Sequence, residues 1–203
     1  MKKLTECVTD RRTTKRVLEL EEAKLDKHLD HLDHLEEART IFQKASQVTQ
    51  SQLSKQVETI VSSALAAVFE EPYKFIVDFV SRRNTCECDL FFEKNGKRKS
   101  PLASCGFGAA DIASLALRVA YWKLDGDSRN TLILDEPTRA LSLDKHERAS
   151  MMIQQLSRME GGLQFLIVTH SKNLATYADK VFRVVKKNDI STVTEVEKQY
   201  LTN

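Results

Sequence analysis

The stretch from residue 15 to about residue 69 contains neither glycine nor proline and is rich in Glu, Lys, Gln, Leu and Ala. Such a run can hardly be anything but one long helix. Leu18, Leu25 and Leu32 recur every seven residues, and Leu53 and Ile60 keep the same register. Leu35 and Phe42 occupy a second seam. Arg39 and Ser46 interrupt the first seam, and Glu21, His28, Thr49 and Gln56 the second, so the heptad is imperfect. A helix polar around most of its surface is not stable alone. It calls for a coiled-coil partner, either an antiparallel helix of another polypeptide or a second copy of this chain. His28, His31 and His34 fall at i, i+3 and i+6. Adjacent pairs of that spacing can share a metal, but a solvated histidine row is the ordinary outcome and the expected one. Residues 1–14 read as a flexible N-terminus.

Glu70-Glu71-Pro72 ends the helix. From Lys74 to Val80 the residues alternate, with Phe75, Val77 and Phe79 on one face, which predicts a strand. A turn over 81–84 returns the chain as a second strand from Thr85 to Lys94, and Asn95-Gly96 is a tight-turn signal. Cys86 and Cys88 share a face of that strand, but no second pair completes a four-ligand metal site, so they are expected to be plain thiols. Arg82, Arg83, Lys94, Lys97, Arg98 and Lys99 make two basic tips that could meet nucleic-acid phosphates.

Thr131-Leu132-Ile133-Leu134 runs straight into Asp135-Glu136-Pro137. Without polar alternation this reads as a strand buried on both faces, and Pro137 stops the ladder. The two carboxylates then stand at the C-terminal strand end, where open α/β sheets bind ligands. A metal ion and a proton-transfer partner are the economical reason to place them there.

The neighbouring segments strengthen that reading by their order. A glycine turn, Ser104-Cys105-Gly106-Phe107-Gly108, feeds an apolar, small-residue helix beginning Ala109-Ala110-Asp111. Its N-terminus offers free N–H groups to an anion. A loop over 125–128 leads to the acidic strand, the segment Ala140-Leu141-Ser142-Leu143-Asp144, and a helix with Met151, Met152 and Leu156. After Gly161-Gly162, a second apolar strand from Leu163 to Val168 ends in Thr169-His170-Ser171. A strand-end histidine some thirty residues after a strand-end Asp-Glu is far more specific than either alone.

Composition excludes more than it selects. The 203 residues carry a net charge of +2 and 41% hydrophobic residues, enough for a core and too balanced for a global nucleic-acid signature. The four cysteines do not have a disulfide-scaffold spacing, and no signal peptide or long apolar run is present. A cytoplasmic protein with no membrane association is expected.

This order of motifs resembles the C-terminal half of an ABC-class ATPase head of the SMC and recombination-repair kind. The small versions carried by phages are especially similar, through Leu-Arg-Val-Ala-Tyr-Trp (117–122). The resemblance covers residues from about 15 to 190. It implies an α/β, P-loop NTPase-like lobe over residues 70–203. A mixed sheet, with a buried parallel core and an antiparallel lobe, would sit beside a projecting coiled-coil helix over residues 15–69. It implies ATP and Mg²⁺ as cofactors, with Asp135 in the Walker B strand as the metal carboxylate and Glu136 as the general base. Asp144 would be the D-loop aspartate at the seam of a head-to-head dimer, and His170 the switch histidine. Ser104, Cys105, Gly106 and Gly108 would form the signature turn, which meets the γ-phosphate held by the opposite head. DNA and a nuclease subunit are partners implied in the same way, and the role implied is ATP hydrolysis in DNA recombination or repair.

Two features depart from that family. The usual signature is Ser-Gly-Gly followed by Glu or Gln, whereas here it is Cys105-Gly106-Phe107-Gly108. Its hydroxyl is Ser104 if the turn shifts; Cys105 is a poorer donor. Nor does any Gly-x-x-x-x-Gly-Lys-Ser/Thr phosphate loop occur in the 203 residues. Hydrolysis is therefore expected only when a P-loop-bearing half, from the same protein or a separate chain, complements this one. The alternative is a non-catalytic interaction subunit that keeps the fold.

Overall fold

The computed structural model describes residues 2–83, 85–101, 106–159 and 161–196, with side chains from residue 10 onward. The chain divides into two units, residues 1–51 and 52–203, and the boundary falls inside the first helix. That helix, α1, spans Lys2–Val68. Residues 2–14, expected to be flexible, are helical, because nothing before Pro72 breaks the helix. The 52–203 unit likewise begins earlier than the expected boundary at 70, since its packing starts inside α1.

In the first unit almost every described side chain is exposed. Leu18, Leu25, Leu32 and Leu35 are about half exposed and Phe42 is 75% exposed. The heptad stripe therefore lies on the surface. Local pairs such as Lys24–Glu21 at 2.7 Å support the helix there.

In the second unit the end of α1 is a core element. Val61, Leu65 and Val68 are fully buried against Phe75 and Phe92 of the first sheet. That sheet is antiparallel, in the order β1 (Lys74–Arg82), β2 (Thr85–Lys94), β3 (Lys97–Lys99). Phe75 and Phe92 are register partners and meet edge to face at 5.9 Å. Asn95 and Gly96 both have positive φ (54° and 71°), as the tight turn between β2 and β3 requires.

Strand β1 is an edge strand, and α1 covers that edge with polar side chains four residues apart. The Ser62 hydroxyl accepts the Phe75 N–H at 2.9 Å, Glu58 Oε1 accepts the Val77 N–H at 2.8 Å, and the Ser54 hydroxyl donates to the Val77 carbonyl at 3.2 Å. Edge groups that would otherwise recruit another strand are thereby satisfied.

Helix α2 (Phe107–Asp125) buries Ile112, Leu115, Ala116 and Val119 and closes on Gly126 in the left-handed conformation. Strand β4 (Thr131–Asp135) follows, then a 3₁₀ turn (Leu143–Lys145), α3 (His146–Ser157) and β5 (Gln164–Val168). Strands β4 and β5 pair in parallel, Asp135 opposite Val168. A short helix, α4 (Lys172–Tyr177), and an antiparallel hairpin, β6 (Val181–Lys187) with β7 (Ile190–Val196), complete the chain.

Two expectations are corrected here. The described strands form three separate sheets rather than one mixed sheet. The β4 run is also not buried on both faces. Leu134 is buried toward the core, but Ile133 is 75% exposed, with Leu166 and Val168 exposed beside it. Only one face of this two-stranded sheet is covered among the described residues, so the apolar residues of its other face point outward.

Candidate active site

The β4–β5 pairing brings Asp135, Glu136 and His170 to one sheet end, as their strand-end positions imply. The Glu136 N–H donates to the Val168 carbonyl at 2.9 Å, which extends the ladder one residue past β4. The chain then turns sharply: Glu136 has φ +43°, and the Arg139 N–H returns to the Glu136 carbonyl at 3.1 Å. A non-glycine residue in this region is strained. Here the strain aims the side chain back across β5.

Both oxygens of that carboxylate are held by the turn after β5. Glu136 Oε1 accepts the His170 N–H at 2.8 Å, and Oε2 accepts the Thr169 hydroxyl at 3.1 Å. Each oxygen keeps a further lone pair, and the side chain is 28% exposed. The His170 imidazole is fully exposed, with Nε2 3.9 Å from Glu136 Oε1. Asp135 is exposed and lies on the same face of the sheet as Ile133, Leu166 and Val168. One carboxylate is thus oriented by hydrogen bonds, and its neighbour is open to a ligand.

The segment between β4 and α3 packs against the start of α2. A side chain at Gly108 would meet the Ala140 carbonyl oxygen at 3.0 Å and the Leu141 Cα at 3.2 Å, so this position tolerates only glycine without a shift. Asp111 Oδ2 accepts the Ala140 N–H at 2.9 Å. Gly108 therefore has a packing reason to be glycine, whether or not its N–H meets a ligand. Gly106 precedes α2 at φ +76° with open space around it. Asp144 is exposed on the 3₁₀ turn. Hydrogen bonds from the Lys145 ammonium (2.7 Å) and Ser142 hold its carboxyl below the usual range. Ser104 and Cys105 lie outside the described residues.

Thr169, Asp111 and His146 were not singled out in the sequence as site residues. Thr169 was legible in principle, as a hydroxyl beside a strand-end carboxylate. The contacts of Asp111 with Ala140 and of His146 with Leu141 and Ser171 are made only on folding.

Other candidates find no support as sites. Among the described residues no cluster of three or more His, Cys, Asp and Glu gathers around one point, and His28, His31 and His34 are exposed. Cys86 and Cys88 are exposed on β2, and partial burial with nearby acidic groups raises the Cys88 pKa, which disfavours its thiolate. Of the six basic tip residues, Arg82 is held by Glu87 and Asp89, Arg98 by Asp78 and Glu93, and Lys94 by Glu71. Arg83, Lys97 and Lys99 are exposed. An apolar groove of about 620 Å³, lined by Phe75, Leu90, Ala113, Leu117 and Leu132 among others, includes none of the site residues. No described helix is long and apolar enough to cross a membrane.

No family model matches the sequence. The chain is 31% identical over 139 residues to the DNA double-strand break repair Rad50 ATPase of Sulfolobus acidocaldarius. That alignment covers 68% of this chain and 15% of the relative, so the chain spans only a small part of the protein it matches. Its fold is similar to the Smc head domain with a coiled coil and joint from Pyrococcus yayanosii, with a TM-score of 0.67 at 18% identity, over 93% of this chain and 36% of that one. A second structure, from work on ATP-driven dimerization and DNA-stimulated activation of SMC ATPases, gives a TM-score of 0.59 at 18% identity. It covers 75% of this chain and 90% of its own. The architecture is therefore the α/β fold of an SMC head domain.

Proposed function

We propose that this chain is the C-terminal portion of an SMC-like ATPase that hydrolyses ATP in DNA recombination or repair, with the phosphate-binding loop supplied by another segment or chain. The observation that carries the reading is the Glu136 carboxylate, clamped by Thr169 and His170 at the sheet end with a lone pair on each oxygen to spare. A group so held is fixed in orientation and still able to accept a proton from a water attacking the γ-phosphate. His170, fully exposed beside it, is placed to contact the transferring phosphate.

Asp135 fits one ligand position of Mg²⁺. That ion takes one or two carboxylates and completes its shell with phosphate oxygens and water, so it needs no protein cage. When bound it neutralises charge on the phosphates. The phosphate cradle itself is not among these residues, and the exposed apolar face formed by Ile133, Leu166 and Val168 supports a complementing half seated there. It adjoins Asp135, so whatever covers the apolar residues also meets the metal carboxylate. Asp144 and the Gly106–Gly108 turn, joined through Ala140 and Leu141, belong to the surface that would face the second head of a dimer. The similarity to a DNA double-strand break repair Rad50 ATPase and to an Smc head domain with a coiled coil supports the DNA-linked role and a coiled-coil partner for α1.

The test is MgATP binding and turnover by the full chain, alone and mixed with a phosphate-loop-bearing half. The chain alone is expected to be inactive and the mixture active. Glu136→Gln in the mixture is expected to slow turnover by roughly 10²–10⁴ with nucleotide still bound. Unchanged turnover in that variant would remove Glu136 as the base.

A further inference from the structure

His146, the first residue of α3, sits between the two turns that frame the site. Its Nε2 is 3.0 Å from the Leu141 carbonyl oxygen and its Nδ1 is 3.2 Å from the Ser171 hydroxyl. A carbonyl can only accept, so Nε2 carries the proton and Nδ1 of the neutral ring accepts from Ser171. Ser171 occupies the N-cap position of α4 yet makes no side-chain cap. A serine there ordinarily spends its hydroxyl on the helix N-terminus; this one points at the histidine. The Ser171 N–H donates to Thr169 Oγ1 at 3.0 Å, and Thr169 donates to Glu136 Oε2. At the other end, Leu141 follows Ala140, whose N–H is held by Asp111 of α2. A continuous chain of hydrogen bonds and peptide units thus runs from α2, through His146, to the Glu136 carboxylate.

We propose that His146 is a positioning residue: by joining the Ala140–Leu141 turn to the Thr169–Ser171 turn it sets the place of Glu136 and makes that place depend on the seating of α2. The inference deepens the ATPase reading and rests on it for its catalytic consequence, but not for its structural one. The position needs a side chain that donates to Leu141 and accepts from Ser171 at once, which most side chains cannot do. A carboxylate cannot donate to Leu141, a lysine cannot accept from Ser171, and an apolar residue does neither. Glutamine can do both, because its amide carries one donor group and one acceptor.

The structural part is tested on the full chain without nucleotide. The imidazole nitrogen spectrum is expected to show the Nε2-protonated ring. His146→Leu, which fills the space without the hydrogen bonds, is expected to speed amide exchange at His170 and Ser171 by roughly five- to ten-fold. His146→Gln is expected to restore wild-type exchange. Ser171→Ala, which leaves the histidine in place, should speed exchange at His170 as His146→Leu does, and it serves if the leucine variant does not fold. An Nδ1-protonated ring, wild-type exchange in both loss variants, or a glutamine variant as fast as leucine would each overturn the proposal. With a phosphate-loop half added, His146→Leu is expected to lower kcat with KM for MgATP unchanged, because it acts through Glu136 and not on phosphate binding; unchanged kcat would overturn the catalytic consequence. If the exchange effects appear and no preparation hydrolyses ATP, the ATPase reading fails while the positioning role stands.

Discussion

Glu136 is the residue at which local preference and site geometry conflict. Its left-handed backbone costs about 1 kcal/mol or more, and that cost is offset by the bond to Val168 and the two bonds to its carboxylate. Thr169→Val keeps the shape and removes one of those bonds, together with the acceptor for the Ser171 N–H. It is expected to lower stability by about 1 kcal/mol in urea titration; an unchanged midpoint would show that Thr169 does not hold the carboxylate. Gly108 is the second position where a single atom decides. The added methyl of Gly108→Ala meets backbone atoms of Ala140 and Leu141, which cannot rotate away. The expected loss is about 1–3 kcal/mol. Gly106→Ala meets no neighbour but is strained by its own φ, so the two variants separate crowding from conformation.

Among the elements, α1 has two roles along one uninterrupted helix. Residues 10–51 present an unburied heptad stripe, whereas from Gln52 onward the helix supplies core residues and covers the β1 edge. Ser62→Ala removes the acceptor of the buried Phe75 N–H and is expected to cost about 1–3 kcal/mol. The exposed neighbour Ser63→Ala should change stability by no more than about 0.5 kcal/mol. Equal losses in the two would mean that helix propensity, not edge protection, is being measured. At the far end of the same sheet Arg82 binds Asp89 through two bonds and holds its carboxyl below the usual range, the hydrogen bond being the larger cause. A depressed carboxyl contributes stability that is present above the unfolded pKa and lost as pH falls through the folded one. Asp89→Asn should therefore flatten the acid limb of a stability–pH curve, weakly, because the pair is exposed and screened by salt.

For the molecule as a whole, the decisive feature is the bare face of the β4–β5 sheet. Ile133, Leu166 and Val168 are apolar, in register and exposed, and they stand beside Asp135, the proposed metal carboxylate. Contiguous apolar surface of this kind is characteristic of interaction sites, and under the proposed function a phosphate-loop half covers it. Ile133→Ser with Leu166→Ser is expected to change the stability of the chain alone by about 0.5 kcal/mol or less per substitution. The same pair of changes should abolish assembly with a phosphate-loop half, read by co-elution. Undiminished assembly would place the interface elsewhere.

Much of this was legible because it is written locally. The absence of glycine and proline specifies the helix, the Asn95-Gly96 pair specifies a turn, and the alternation of residues 74–80 specifies a strand. The apolar run ending in Asp135-Glu136 and the one ending in Thr169-His170 specify strand ends. Their order carries the resemblance to the ABC-class head, while spacing alone specifies only the strands, the turns and the helix. Only the tertiary structure could decide the rest. It separates the strands into three sheets, because pairing joins segments distant in sequence. It leaves one face of β4 exposed, because burial depends on what is stacked above a strand and not on the strand's own residues. And it recruits Thr169, Asp111 and His146 to the site, because a hydrogen bond requires two groups within about 3 Å, and spacing along a chain does not report distance across a fold.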